Sequence, residues 1–145
     1  MSTLSGAFYP KLDEKGRIIL PAKLREYFVN GLVMTRGQDG CLLVFTAAAF
    51  ELRAEALATA PLTNLEARNY VRMFMAGAHS ETPDKQGRVT IPAALRQYAS
   101  LSRELTVIGA GNHAEIWDAA AWSAFESSQE FNYSSLAQEV IPGII

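Results

Sequence analysis

The sequence predicts a mainly β, α+β fold built from two tandem, pseudo-symmetric halves. Three observations predict it. The segment DEKGRIILPAKLREY, residues 13–27, returns as DKQGRVTIPAALRQY, residues 84–98, with eight identities in fifteen positions. Each copy is followed by two short apolar runs split by turn residues, GLVMTRGQDGCLLVF (31–45) and LTVIGAGNHAEIW (105–117). Each of those is followed by a matched helix start, TAAAF (46–50) and DAAAW (118–122). Self-similarity at a fixed offset is the mark of one supersecondary unit used twice.

The elements follow in order within each copy. A short strand ends at Leu12 or Pro83. A charged turn comes next, with Gly16 or Gly87 where a tight turn requires positive φ, and RIIL or RVTI resumes as a strand. Pro21 and Pro92 stand where a helix begins, because proline's missing N–H is not needed there. AKLREYF and AALRQYA then give short helices, and a hairpin follows in each half, LVMT to CLLVF and LTVIG to AEIW. Thr46 and Asp118 are N-caps for helices over about 47–58 and 119–127. Between the copies, Thr63 and Glu66 form a capping-box pattern. Leu65, Val71, Phe74 and Met75 recur at helical spacing, and Gly77 is placed to stop that helix. The organisation is therefore a first half over 5–58, a bridging helix over 61–79, a second half over 80–128 and a C-terminal tail over 129–145. The tail has no clear periodicity before its proline.

At 145 residues, 49% hydrophobic and 19% charged, the composition is that of an ordinary globular domain. The longest apolar runs fall far short of the roughly 18 residues that indicate a membrane span, and MSTLSGAFYPK carries neither the basic n-region nor the apolar h-region of a signal peptide. A single cysteine, Cys41, fits a reducing cytosol, and within DGCLLVF it reads as a small buried hydrophobe. Net charge is −2, which argues against a nucleic-acid partner until its distribution is considered. Residues 9–27 carry Lys11, Lys15, Arg17, Lys23 and Arg25 against Asp13, Glu14 and Glu26; residues 80–98 carry Lys85, Arg88 and Arg96 against Glu81 and Asp84. Positive charge is concentrated in the two repeated segments, and the remainder is acidic.

The charged turns place Asp and Arg four residues apart, and two readings fit that chemistry. In one, each carboxylate pairs with its arginine and accepts turn N–H groups, holding a hairpin and nothing more. An exposed pair is worth only about 0–1 kcal/mol, a poor reason to keep such a turn twice. In the other, the aspartate positions the guanidinium, whose planar fork suits phosphate oxygens and guanine edges. Duplication favours the second, since two equivalent basic turns can touch two places on one repetitive polymer.

The paired D-x-x-x-R turns leading into GRIILPAKLR and GRVTIPAALR resemble the MraZ family, as do MTRGQDGCLLVF, GNHAEIWD and the intervening LEARNYVRMFMAGAHS. The likeness runs from about Ser5 to about Phe125; the tail lies outside it. The MraZ family belongs to the AbrB/SpoVT-like swapped-hairpin superfamily, so the resemblance implies two AbrB-like halves fused in one chain and sharing one β-barrel. It further implies a cytoplasmic, nucleoid-associated bacterial transcriptional regulator. Such a protein binds short direct repeats of double-stranded DNA in the promoter of the division and cell-wall gene cluster, usually as a repressor, and assembles into a homo-oligomeric, octamer-like ring. The family associates its D-x-x-x-R turns with DNA contact, which falls here on Asp13, Arg17, Asp84 and Arg88. Lys15 and Lys85, inside the same turns, are added as phosphate contacts on their charge. One protomer's few cations should bind DNA weakly; identical sites held together raise avidity by about 10²–10⁴.

Other features point elsewhere less strongly. His79 and His113 lack neighbours at metal-ligand spacing, so no metal or other cofactor is expected. Asp13 and Asp84 could mimic a carboxylate dyad, but an arginine beside each keeps both ionised, and no enzyme or small-molecule substrate is expected. Lys23, Arg25 and Arg96 sit on the short helices and read as solvated or subunit-facing. Phe45, Trp117, Phe50 and Trp122 occupy matched positions and read as core rather than base-stacking. The rival of another class is a ring-forming scaffold whose basic turns grip acidic protein partners. An antitoxin of the same superfamily would carry a single unit and a separate toxin-binding tail, which the duplication argues against.

Overall fold

The computed structural model describes residues 3–136 and 140–145. The first copy supplies strands β1 (Ala7–Phe8) and β2 (Arg17–Ile19), helix α1 (Ala22–Tyr27), strands β3 (Leu32–Arg36) and β4 (Leu42–Thr46), and helix α2 (Ala47–Leu57). Helix α3 (Leu65–Ala76) bridges to the second copy, which repeats the order as β5 (His79–Glu81), β6 (Arg88–Thr90), α4 (Ala93–Tyr98), β7 (Leu105–Gly109), β8 (Ala114–Asp118) and α5 (Ala119–Ser134).

The strands pair antiparallel in two sheets, a six-stranded one ordered β1-β7-β8-β4-β3-β5 and a two-stranded ribbon of β2 with β6. The copies exchange strands. β1 of the first copy lies on β7 of the second, β5 of the second lies on β3 of the first, and the hairpins meet where β4 pairs with β8. The ribbon likewise takes one strand from each copy, with Ile18 opposite Val89.

Alternation along the strands sets the core. Ile18 and Val89, each 1% exposed, point from the ribbon onto the sheet, where Met34, Leu42, Val107 and Ile116 meet them. Leu24 and Phe28 after α1's start, and Leu95 and Ala99 of the matched segment, complete this layer. A second cluster on Val33 and Phe45 is covered by Phe50 of α2 and Phe74 of α3. Helix α3 is fixed there by Thr35, whose buried hydroxyl donates to the Phe74 carbonyl at 2.6 Å, and by Arg36, which donates to the Met73 carbonyl at 2.8 Å.

Three details differ from the sequence expectations. Among the described residues the shared barrel is not closed by hydrogen bonding: pairing stops at β1 and β5, and the ribbon covers the sheet through side chains. Helix α3 is capped by Asn64, whose side chain accepts the Ala67 N–H at 3.0 Å, rather than by Thr63 one position earlier. Gly77 ends α3 as expected, in right-handed conformation at φ −82, and also allows close packing, since a Cβ there would lie 3.1 Å from Thr35 Oγ1. Helix α5 runs on to Ser134 instead of stopping near 127, because no glycine or proline interrupts FESSQEFNYS. No helix among the described residues is long and apolar enough to cross a membrane.

Candidate nucleic-acid interface

Each charged turn is organised by its aspartate. In the first, Asp13 Oδ1 accepts the backbone N–H groups of Lys15 and Arg17 at 2.8 and 2.9 Å, and Oδ2 accepts Arg17 Nε at 3.0 Å. In the second, Asp84 Oδ1 accepts the N–H groups of Gln86 and Arg88, both at 2.9 Å, and Oδ2 accepts Arg88 Nε at 2.7 Å. The Asp13 N–H donates to the Arg17 carbonyl and the Asp84 N–H to the Arg88 carbonyl, closing both turns. Gly16 and Gly87 carry φ of +78 and +79, the left-handed conformation expected of them.

This geometry makes the two sequence readings one. The carboxylate does hold the turn, and in doing so it uses only Nε of the arginine. Among the described residues, the terminal Nη groups of Arg17 and Arg88 have no hydrogen-bond partner, so two aimed two-nitrogen forks remain available to an acceptor. Hydrogen bonds from the Arg17 backbone, then from its side chain and the Lys15 backbone, hold the Asp13 carboxyl below the usual range. The matching bonds from Arg88 lower Asp84 to about 2. Both turns therefore stay zwitterionic at neutral pH.

The ribbon brings the forks together. Arg17 pairs with Thr90 and Arg88 with Ile19, so the two arginines are diagonal neighbours, roughly 7–8 Å apart at the backbone, on the face opposite buried Ile18 and Val89. The turns lie at opposite ends of this ribbon: the Gly16 carbonyl accepts from Ile91 N–H and the Gly87 carbonyl from Leu20 N–H, both at 2.8 Å. Four residue steps separate these rungs, or roughly 14 Å.

Lys15 and Lys85 are exposed at the tips and form no ion pair among the described residues. They are not equivalent, since Lys15 matches Gln86 and Lys85 matches Glu14. Sequence reasoning missed Ile19, 56% exposed between the arginines, and Thr90 beside it; strand alternation could have placed both outward once β2 and β6 were paired. Arg25 and Arg96 also differ from their sequence reading. They are half-buried against the turn of the opposite copy rather than on a solvated face. Phe45, Phe50 and Trp117 are buried as expected, with Trp122 half-buried.

A family model described as "MraZ protein, putative antitoxin-like" matches the chain twice, over residues 3–73 and 73–141. The chain is 55% identical over 139 residues to a protein of Leifsonia xyli subsp. xyli named transcriptional regulator MraZ, covering 96% of this chain and 97% of that one. Proteins of the same name from Kocuria rhizophila and Paenarthrobacter aurescens are each 55% identical. They cover 96% and 97% of this chain and 97% and 98% of their own length.

Proposed function

The chain belongs to the MraZ family of transcriptional regulators, and from that premise we propose that it binds double-stranded DNA through the outer face of the β2–β6 ribbon. Arg17 and Arg88 contact base edges or phosphates, Lys15 and Lys85 contact phosphates, and Asp13 and Asp84 hold the arginines in place. The observation that carries this reading is the pair of aspartate-braced guanidinium forks, diagonal neighbours on one exposed face.

Physical scale supports a groove-bound ribbon. The major groove is about 12 Å wide and admits a two-stranded β-ribbon. Arginine forks match the O6 and N7 acceptors of guanine, and an exposed Ile19 between them suits a thymine methyl group. The turns at the ribbon ends then reach the flanking phosphates, which fix register without reading sequence.

The binding strength of one protomer argues for assembly. Its few cations yield a weak, salt-sensitive contact, whereas a ring of copies meets spaced repeats as an effectively intramolecular event. Exposed apolar residues on α3 and α5, among them Leu65, Met73 and Phe125, support self-association. On this reading the protein acts as a homo-oligomeric ring on short direct repeats in the promoter of the division and cell-wall gene cluster. It represses that cluster by occupying the repeats. The swapped-hairpin description fits the strand exchange between copies.

Fluorescence anisotropy with DNA from upstream of the protein's own gene, against a scrambled duplex, tests this. Preference for the native duplex with a steep loss of affinity on adding salt is expected, and Arg17→Ala and Arg88→Ala should each weaken binding about tenfold or more at unchanged particle size. Equal binding by the parent and both variants would overturn the assignment. Salt-sensitive capture of acidic proteins with no DNA preference would favour the scaffold instead.

A further inference from the structure

Two arginines outside the turns cross between the copies. Arg25, in the last turn of α1, donates from Nη2 to the Leu20 carbonyl at 3.0 Å, and the Leu20 N–H donates to the Gly87 carbonyl at 2.8 Å. Arg96, in the matched turn of α4, donates from Nη1 to the Ile91 carbonyl at 2.6 Å, and the Ile91 N–H donates to the Gly16 carbonyl at 2.8 Å. Each arginine thus pins the residue whose N–H holds the other copy's turn.

The same guanidinium groups also pack against those turns. A Cβ built on Gly16 would overlap the Arg96 guanidinium, with Cζ at 2.7 Å, and one on Gly87 would overlap Arg25, with Cζ at 2.8 Å. Both glycines are buried although they sit in exposed charged turns. Arg25 Nε is buried without a hydrogen-bond partner, a penalty that a merely solvated arginine would avoid by turning outward. Neither arginine forms an ion pair among the described residues. The glycines therefore serve twice, supplying positive φ and leaving room for a cation from the opposite half.

We propose that Arg25 and Arg96 are crossed positioning residues, each clamping the DNA-contacting turn of the opposite copy. Arg25 sets the Asp84–Arg88 turn and Arg96 the Asp13–Arg17 turn. Each clamp ties one fork to the opposite half, so that neither turn can move without disturbing a strand end there. Positioning of this kind matters because a loose fork must be ordered on binding, and that ordering lowers affinity. The DNA consequence rests on the function proposed above; the clamp itself does not.

The decisive measurement is residue-resolved amide exchange by NMR on the free protein, for the parent and for Arg25→Ala. Loss of one charge-assisted hydrogen bond changes a local equilibrium by about tenfold. Exchange should therefore quicken by about that factor at Leu20 and Gly87 and stay unchanged at Ile91 and Gly16; Arg96→Ala should give the mirror pattern. Equal quickening at both turns, or none at either, overturns the proposal. Should Arg25→Ala not fold, Arg25→Lys, which keeps a charge and a donor but not the plane, must show the same asymmetry at smaller amplitude. On promoter DNA, Arg25→Ala should be non-additive with Arg88→Ala and additive with Arg17→Ala. Additivity with both, together with a reduced salt slope, would mean Arg25 touches DNA directly and would sink the clamp. A parent protein that fails to bind DNA would remove the regulatory reading while the exchange pattern still decides the clamp.

Discussion

Asp84 takes two bonds from one residue: its Oδ2 accepts Arg88 Nε at 2.7 Å while its Oδ1 accepts the Arg88 backbone N–H at 2.9 Å. The turn and the guanidinium are thereby set by a single carboxylate, and the charge of that carboxylate is a requirement of the site.

The pH dependence follows. The folded-state pKa of Asp84, about 2, lies below the value of roughly 3.9 for an unperturbed aspartate. Its contribution to stability is therefore complete above about pH 4 and is lost as pH falls through about 2. Asp13 is shifted in the same direction by the same kind of bonds. A carboxyl carbon-13 titration should place Asp84 near 2, and Arg88→Ala should move it up. An Asp84 midpoint in the ordinary aspartate range would contradict the bracing geometry.

Lysine and arginine at the turns should differ in what they lose. Lys15→Ala and Lys85→Ala should weaken binding to every duplex alike and flatten the slope of log affinity against log salt by about 1. Arg17→Ala should instead relax sequence preference by about 1–3 kcal/mol if its fork reads a base edge. Measuring Kd for native and scrambled duplexes at several salt concentrations separates the two. Identical behaviour of lysine and arginine variants would confine all four residues to phosphates.

The site was legible only in part. Asp, Gly and Arg at fixed spacing, repeated in 13–17 and 84–88, reveal the turn because its chemistry is local. Pairing of β2 with β6 joins residues some seventy positions apart, and nothing in RIIL or RVTI names its partner. The exchange of β1 and β5 between copies is equally silent in local pattern, and only the family resemblance, with its swapped hairpins, points toward it. Arg25 and Arg96 looked like surface cations because helical position says nothing of the opposite copy's glycine. Their recurrence at matched positions was the available signal. Asn64 won the cap of α3 over Thr63 by one residue, a boundary that local propensity resolves poorly.

Cys41 is 1% exposed, and burial, with the Glu115 and Asp39 carboxylates adding to it, pushes its thiol up to about 12. The thiolate is the nucleophile, so the native protein at pH 8 should resist iodoacetamide, while urea-unfolded protein reacts at the rate of a free thiol. Mass spectrometry at timed quenches reads this directly. Rapid alkylation of the folded protein would show that the β3–β4 hairpin opens around Cys41.

Matched aromatic residues in the two halves should carry unequal stability. Phe50 is 8% exposed, with ring centroids 6.1 Å from Phe45 and 5.7 Å from Phe74, the residue that α3 lays over the first half. Trp122, its counterpart, packs on Trp117 at 5.2 Å and on Phe125 at 5.6 Å, yet Phe125 is itself 40% exposed. Among the described residues the bridge runs between the copies once and no second such helix covers this cluster, so the pseudo-symmetry breaks there. Phe50→Ala should cost about 3–5 kcal/mol through lost burial and a residual cavity, and Trp122→Ala on the order of 1–2 kcal/mol in dilute solution, because water already reaches one side of the site. Urea denaturation of both variants at low protein concentration measures the difference. Equal losses would show that the second cluster is covered as completely as the first.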